Sequence, residues 1–248
     1  MPIARFRFYA ELNDLLSRQM RQVPSDNSFG ERSSVKHIIE TLGVPLTEVD
    51  LILVNGHSVD FSYLPNDGDQ ISVYPVFETF DISPIIRLRP QPLRETRFIL
   101  DTHLGKLATY LRMLGFDSRY ENSFEDDELA LIASDEKRII LTRDRGLLKR
   151  KMVTHGYLVR ATLPRVQIVE VIKRFDLGTS ILAFRRCIRC NGLLEAVPKE
   201  NIIDRIQPDT IRYFDEFQIC SDCTQIYWKG SHYERMKNFI EAIFVECK

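Results

Sequence analysis

Short apolar runs alternate with longer amphipathic segments from Arg97 to Phe175, and this alternation is the feature that most limits the possible folds. The run RFIL precedes LGKLATYLRMLG, DSRYE precedes EDDELALIASDE, RIILT precedes GLLKRK, and GYLVRAT precedes PRVQIVEVIKRF. Strands that alternate with helices form parallel sheets, because each helix returns the chain to the edge at which the previous strand began. The sequence therefore predicts an α/β domain in which helices cover a parallel sheet.

Acidic residues stand where two of these predicted strands end. RFIL runs into Asp101, RIILT runs through Arg143 into Asp144, and the acidic group Glu125-Asp126-Asp127-Glu128 begins the intervening helix. Ligands bind at the carboxyl ends of parallel strands, which lie at one edge of the sheet. Carboxylates that converge there repel one another unless a cation neutralises them, and oxygen ligands suit Mg²⁺ or Mn²⁺. Such an ion would polarise a phosphodiester and activate water.

Each acid taken alone has a simpler role. Asp101 or Asp126 is also typical of a helix cap, and acidic residues are common on protein surfaces. The joint placement of the acids at the strand ends is what favours a metal site.

The net charge of −1 hides a strongly basic segment. Between residues 137 and 190 the acidic residues are Asp144, Glu170 and Asp176, and lysine and arginine far outnumber them. This excess favours binding of a polyanion, although a solvated basic face is the alternative. Cations of this kind would hold a nucleic-acid backbone without reading its sequence.

At the strand ends the sequence resembles a known family. The runs RFILDTHLGKLATYLRMLGFDSRY and DDELALIASDEKRIILTRDRGLL are similar to the PIN-like ribonuclease domain of the Mut-seven C-terminal (Mut7-C) family. The resemblance extends over about residues 97–245, because that family continues into a zinc ribbon, and members preceded by a ubiquitin-like domain are known. It implies metal-dependent cleavage of RNA.

The resemblance also implies roles for individual residues. The acids at the first strand end, at the D-x-x-L helix start and in the T-R-D motif are here Asp101, Asp126 with Leu129, and Thr142-Arg143-Asp144. Asp127 is a rival for the second role. A fourth acid, frequent in PIN nucleases, is not evident after Asp144, so the number of catalytic Mg²⁺ or Mn²⁺ ions stays open. The residues expected to contact RNA are Lys106, Arg112, Thr142, Arg143, Arg145 and Lys149.

Two Cys-x-x-Cys pairs mark the third region of the chain. Cys187 and Cys190 form the first pair, Cys220 and Cys223 form the second, and residues 191–219 separate them. Four thiolates around a structural Zn²⁺ are the preferred interpretation. Two disulfides are the alternative, which a cytosolic chain disfavours. Cys247 is left over and is expected to have no metal role.

The N-terminal region predicts a different fold. ARFRFYA is a possible strand, SVKHIIETLGV has helical spacing, and LILVNGHSV and DGDQISVYPVF read as strands with a turn at Asp67-Gly68-Asp69. This order suggests a β-grasp, and the segment resembles the ubiquitin-like sulfur carriers. Those carriers need a free C-terminal Gly-Gly, whereas this chain continues through VFETFD. Sulfur-carrier chemistry is therefore not expected. We expect instead that this domain binds a protein partner.

These patterns divide the chain into a ubiquitin-like β-grasp domain (1–80), a linker (81–96), a PIN-like nuclease domain (97–180) and a zinc ribbon with a C-terminal helix (181–248). The linker prediction rests on Pro84, Pro90 and Pro92. No long apolar run and no signal peptide are evident, so we expect a cytoplasmic protein without a membrane partner.

Two functions remain open at this point. The first is a metal-dependent ribonuclease, and the second is a non-catalytic RNA-binding or adaptor protein in which the same acids cap helices. Under the first hypothesis, deleting residues 1–80 is expected to leave cleavage of an unstructured RNA largely intact.

Overall fold

The structure is a computed structural model that describes residues 1–30, 32–75, 88 and 96–247. It forms two compact units, Met1–Glu95 with Asp144–Leu158, and Thr96–Arg143 with Val159–Lys248. The predicted linker lies outside the described residues except for Leu88 and Thr96. The predicted domain boundaries therefore stay predictions.

The N-terminal residues form a five-stranded mixed sheet with one α-helix. Its elements are β1 (Ile3–Phe8), β2 (Ser25–Ser28), α1 (Val35–Thr41), β3 (Val49–Val54), β4 (His57–Val59) and β5 (Gln70–Pro75), with 3-10 helices at Ala10–Leu15, Arg18–Met20 and Leu46–Glu48. The strand order is β2-β1-β5-β3-β4, in which β1 and β5 are parallel and the other pairs are antiparallel. This arrangement confirms the predicted β-grasp.

The sequence pattern explains this local structure. Every second residue of β1 is buried, so that Phe6 and Phe8 enter the core while the intervening arginines face water. The side chain of Ser34 caps α1 by accepting the N–H of His37 at 3.4 Å. Gly43 follows the helix with a φ of +96°, a conformation that residues with a Cβ rarely adopt.

The central residues alternate strands and helices as predicted. The elements are β6 (Phe98–Leu100), α2 (Gly105–Met113), β7 (Ser118–Arg119), α3 (Asp126–Asp135), β8 (Ile139–Thr142), α4 (Arg145–Leu148), β9 (Gly156–Leu158) and α5 (Pro164–Arg174). The strand order is β7-β6-β8-β9, and β6 is parallel to both of its neighbours. The predicted α/β class with a parallel sheet is confirmed.

The interior of this unit is built from the predicted apolar positions. Every residue of β6 and β8 is buried, as expected for strands covered on both faces. The predicted apolar stripe of the following helix is also buried: Leu104, Leu107, Ala108, Leu111 and Leu114. The stripe therefore belongs to the core.

The C-terminal residues add an antiparallel sheet and a long helix. The elements are β10 (Leu194–Val197), α6 (Pro208–Tyr213), β11 (Phe217–Cys220), β12 (Ile226–Trp228) and α7 (Ser231–Cys247), with the sheet order β10-β11-β12. A small core of Ile202, Phe217 and Ile226 supports the sheet. The predicted C-terminal helix buries Ile240 and Ile243 and packs against α5.

In the part of the chain that the structure describes, no helix combines the length and the apolar character needed to cross a membrane.

Candidate functional site

Asp101 lies at the carboxyl end of β6 and is almost fully buried, with 6% of its surface exposed. Its Oδ2 accepts a hydrogen bond from the Thr142 hydroxyl at 2.6 Å, and its Oδ1 accepts one from the Thr102 hydroxyl at 3.2 Å. Its backbone N–H donates to the Leu141 carbonyl at 3.0 Å, which fixes the residue beside β8. Parallel pairing of the strands explains why residues distant in sequence meet here.

The surroundings of Asp101 fit a bound cation. Among the described residues, no lysine, arginine or histidine forms an ion pair with this carboxylate. Two hydroxyl donors stabilise a buried negative charge without neutralising it. A divalent cation with oxygen preference would supply the missing positive charge.

The acids at the start of α3 differ in exposure. Asp126 is the first residue of the helix and is partly buried, whereas Asp127 is exposed. The helix packs against β6 and β8 in the same unit. Both acids also complement the helix dipole, which is the alternative explanation for their presence. Burial favours Asp126 over its rival for the second predicted role.

Asp144 is exposed and caps α4, with its Oδ1 accepting the N–H of Gly146 at 2.7 Å. The T-R-D motif spans both units, because Thr142 and Arg143 end a segment of one unit and Asp144 begins a segment of the other. The helix-cap role that the sequence left open is therefore present for Asp144. Its predicted role at a metal stays a prediction.

The four cysteines of the two pairs come together. Their sulfur atoms all lie within 4.8 Å of one another, and they form the only such group of three or more His, Cys, Asp or Glu residues within the described ranges. Sγ of Cys187 lies 3.6 Å from Sγ of Cys223, and Sγ of Cys190 lies 3.4 Å from Sγ of Cys220. All four are free thiols here.

The two cysteine turns have matching backbone geometry. We call residues 187–192 the first knuckle and residues 220–225 the second. Asn191 and Thr224 both have positive φ angles, 79° and 57°, and each N–H donates to the carbonyl of the first cysteine in its turn, at 2.9 and 3.0 Å. These turns direct N–H groups toward the sulfurs, as a negatively charged thiolate cluster requires.

Titration of the thiols is consistent with a metal site. Burial raises the pKa of Cys187, but hydrogen bonds from the Tyr227 hydroxyl and from the N–H groups of Cys190 and Arg189 outweigh burial and lower that pKa to about 7. Burial and the neighbouring thiols raise the pKa of Cys190 to about 12. Cys187 thus loses its proton readily whereas Cys190 resists, and Zn²⁺ would supply the positive charge that four thiolates need. The donor set fits zinc.

Comparison with known families shows the family to which the chain belongs. Residues 96–240 match the model of the Mut7-C RNAse domain, and residues 1–81 match that of the Mut7-C ubiquitin domain, in the predicted order. The chain belongs to the Mut7-C RNAse domain family. The resemblance inferred from the sequence is confirmed.

Two solved structures are similar to part of this Mut7-C chain. One is small archaeal modifier protein 1 of H. volcanii, with 13% identity over 31% of this chain and 100% of that protein, at a TM-score of 0.26. The other, from Pyrococcus furiosus, is described as subunit 1 of a molybdopterin converting factor, with 20% identity over the same shares and a TM-score of 0.26. No curated protein matches the chain.

Some of the residues predicted to contact RNA are exposed, and others are buried. The exposed ones are Lys106, Arg143, Arg145 and Lys149. Thr142 is fully buried and binds Asp101, so its placement suits support of the acid. Arg112 is 4% exposed, and its guanidinium donates to the carbonyls of Ser118 and Arg189 at 2.8 and 2.6 Å.

Sequence reasoning missed the contacts of the Mut7-C parallel sheet with the first knuckle. Asn191 Oδ1 accepts the N–H of Ser118 at 2.9 Å, and Asn191 Nδ2 donates to Asp117 Oδ1 at 2.8 Å. Arg138 also donates to Asp117 Oδ1, at 2.6 Å. The Asn-Gly dipeptide after Cys190 signalled a turn, but nothing in the sequence indicated what the asparagine side chain would bind.

Proposed function

We propose that this protein is a metal-dependent ribonuclease that hydrolyses RNA phosphodiester bonds with a carboxylate-held Mg²⁺ or Mn²⁺ ion. Membership of the Mut7-C RNAse domain family supports ribonuclease activity. The observation that most favours metal-dependent chemistry is the buried Asp101 carboxylate, which has two hydroxyl donors and no cationic partner among the described residues.

The proposed ion would be held by Asp101, Asp126 and Asp144. When bound, it would polarise the phosphate and lower the pKa of the attacking water. Thr142 would hold the Asp101 carboxylate in one orientation, because its hydroxyl donates to Oδ2 at 2.6 Å. Asp127 is the alternative to Asp126 as the second ligand, and substitution of each residue would distinguish them.

RNA would be held through its phosphates. Lys106, Arg143, Arg145 and Lys149 are exposed and are proposed to contact the backbone. The prediction that Arg112 contacts RNA is not kept in this proposal, because its guanidinium is buried and bound to backbone carbonyls. The ubiquitin-like domain is proposed to bind a protein partner.

Zinc is proposed as a structural ion at Cys187, Cys190, Cys220 and Cys223. Four thiolates complete a tetrahedral shell and leave no position for water, which is typical of structural sites. The proposed ribonuclease chemistry is therefore assigned to the acids alone.

The test is RNA hydrolysis by Asp101→Asn and Asp144→Asn, each measured with and without Mn²⁺ and compared with Asp135→Asn. Asp135 is an exposed acid of α3 with no proposed role, so its variant controls for the loss of one surface charge. We expect both site variants to lose cleavage by at least about a hundredfold while salt-dependent RNA affinity persists. Undiminished cleavage in Asp101→Asn, with contaminating nuclease excluded, would refute the carboxylate mechanism, whereas absence of cleavage by the wild type would favour a non-catalytic adaptor.

A further inference from the structure

Tyr120 closes over the turn that follows Asp101. It comes directly after β7, and its hydroxyl lies 2.9 Å from the carbonyl oxygen of Thr102, the next residue after Asp101, and 2.9 Å from Asn122 Oδ1, the two acceptors that share its hydrogen. Burial raises the pKa of Tyr120, the nearby Arg112 guanidinium opposes this, and the Asp101 charge adds to it. The tyrosine thus lies within electrostatic reach of the buried carboxylate.

The first residue of α2 leaves room for this ring. A Cβ added at Gly105 would lie 2.6 Å from the Tyr120 hydroxyl oxygen and 2.7 Å from Cζ. Glycine costs a helix about 1 kcal/mol relative to alanine, so its presence at this position is explained by the space that the ring needs. With any other residue at 105 the Tyr120 ring would have to shift.

Arg112 connects the backbone around Tyr120 with the first knuckle. Its Nε donates to the Ser118 carbonyl at 2.8 Å and its Nη2 to the Tyr120 carbonyl at 3.3 Å. Its Nη1 donates to the Arg189 carbonyl at 2.6 Å, between Cys187 and Cys190. One buried guanidinium thus binds both β7 and the cysteine turn, and removing either partner would leave its N–H groups unpaired.

Asn191 makes a second connection between the same two segments. Its side-chain amide pairs with the N–H of Ser118 and with the Asp117 carboxylate at 2.9 and 2.8 Å. Its backbone has a φ of +79°, which the knuckle imposes through the N–H bond to the Cys187 carbonyl. The side chain reaches β7 only while the turn keeps this shape.

We propose that Tyr120 is a positioning residue for Asp101, and that Arg112 and Asn191 make its placement depend on zinc binding at the first knuckle. The part of this proposal that concerns catalysis rests on the proposed function, in which Asp101 is an acid of the ribonuclease site. Zinc would hold the four sulfurs together and thereby keep the carbonyls of the knuckle where Arg112 meets them. Loss of zinc would free β7 and Tyr120, and the turn at Thr102–Leu104 would become mobile.

The test is amide hydrogen exchange of the full-length protein over residues 98–105, with zinc bound and after chelation. The variants are Tyr120→Phe, which keeps the ring and removes the hydroxyl, and Tyr110→Phe as the control. Tyr110 lies on α2 with its ring 4.4 Å from that of Phe239, and its hydroxyl makes no hydrogen bond among the described residues. Exchange over β8 reports whether the sheet itself has opened.

We expect zinc removal from the wild type to raise exchange at 102–104 by about tenfold, with β8 unchanged and with recovery when zinc is restored. With zinc bound, Tyr120→Phe should show the same rise in exchange at 102–104. Zinc removal should then raise exchange in this variant little further, because the substitution and the zinc removal break the same connection. Tyr110→Phe should behave as the wild type. An equal effect of zinc removal in Tyr120→Phe and wild type, or no effect in either, would overturn the proposal.

Cleavage kinetics separate this proposal from the function on which it partly rests. In zinc-loaded protein, Tyr120→Phe should lower kcat for RNA by about five- to tenfold with KM unchanged, the signature of a misplaced reacting group. Gly105→Ala, which displaces the ring and keeps the hydroxyl, should do the same. If wild-type protein cleaves no RNA, the ribonuclease proposal fails, while the exchange experiment still decides whether Tyr120 positions the Asp101 turn.

Discussion

Thr142 donates its hydroxyl hydrogen to Asp101 Oδ2 over 2.6 Å and so joins the carboxyl ends of β8 and β6. Both residues are buried, and they are adjacent only because the strands pair in parallel with Leu100 opposite Leu141. The threonine of the T-R-D motif therefore supports the first acid from the neighbouring strand. This contact explains why a hydroxyl residue stands at the end of an otherwise apolar strand.

Replacement of Thr142 tests this contact. Thr142→Val keeps the shape and removes the donor, so the free energy of unfolding should fall by about 1–3 kcal/mol, because a buried carboxylate loses a hydrogen bond. Thr142→Ser retains a hydroxyl and should lose less. Urea unfolding of both variants, followed by Mn²⁺-dependent cleavage, gives the comparison. Equal stability of the valine variant and wild type would show that the hydrogen bond contributes nothing.

Asp126 and Asp127 provide a matched pair for the second predicted role. Asp126→Asn should reduce metal-dependent cleavage by about a hundredfold, because Asp126 is proposed as a metal ligand, whereas Asp127→Asn should change cleavage little, because the proposal gives Asp127 no ligand role. Both variants remove one charge from the first turn of α3, so helix-dipole effects cancel in the comparison. The reverse order of effects would assign the role to Asp127.

Zinc should be present at about one equivalent in purified protein, as elemental analysis can measure. Cys190→Ser should lose that zinc and loosen residues beyond 180, because structural zinc contributes on the order of 10 kcal/mol to local folding. Cys247→Ser is the matched control, since Cys247 lies outside the four-cysteine group. Absence of zinc together with two disulfides in non-reducing mass spectrometry would contradict the assignment.

The Asp117 carboxylate should make stability depend on pH. Burial raises its pKa, but the hydrogen bonds from Arg138 and Asn191 outweigh burial and hold the pKa below its ordinary value of 3.8. A carboxyl whose folded-state pKa is lowered stabilises the protein above its unfolded pKa, and this contribution is lost as the pH falls below about 4.

Asp117→Asn should therefore destabilise the protein at pH 7 by about 3 kcal/mol, because it leaves the buried Arg138 with less negative charge nearby. The variant should also lose less stability than wild type between about pH 5 and pH 3. Thermal unfolding across that range measures both effects. Parallel pH profiles for the two proteins would assign the acid sensitivity to other groups.

The N-terminal domain should affect the segment that contains Asp144. Glu48, with 1% of its surface exposed, accepts the N–H of Leu158 at 2.8 Å, and residues 144–158 form one compact unit with the β-grasp. Glu48→Ala should raise hydrogen exchange over residues 144–158, whereas Glu48→Gln, which keeps an acceptor, should raise it less.

The same contact changes the expectation for deletion of residues 1–80. Removing the β-grasp would separate residues 144–158 from the compact unit to which they belong and would remove the Glu48 acceptor of the Leu158 N–H. We now expect the deletion to lower RNA cleavage, in contrast to the outcome that the sequence suggested. Full cleavage by the truncated protein would restore the original expectation.

Much of the fold could be predicted because it depends on local pattern. The strand and helix alternation of residues 97–175 and the helical spacing of Val35, Ile38 and Ile39 correspond to observed elements. The strands β10, β11 and β12 were not predicted, because their burial is irregular and the cysteine turns interrupt them. Their apolar residues become a core only when the sheet folds on Ile202.

The cysteine cluster was predictable for a different reason. The spacing of Cys-x-x-Cys alone places two sulfurs on one turn. Contact between two such turns is then enough to bring four thiols together. The exposure of the residues predicted to contact RNA could not be derived from the sequence, since Arg112 and Lys106 carry the same charge. Burial separates them, and burial depends on residues 118 and 189, which are distant along the chain.

The sequence by itself determined the order of the domains, the parallel sheet, the four-cysteine group and the placement of Asp101 at a strand end, because periodicity and short spacings encode these features. Only the tertiary structure decided that Thr142 binds Asp101, that Arg112 and Asn191 join the first knuckle to β7, and that Glu48 holds Leu158. These contacts join residues far apart in sequence. Whether a polar group is buried, and which partner it meets there, depends on packing, which no local pattern specifies.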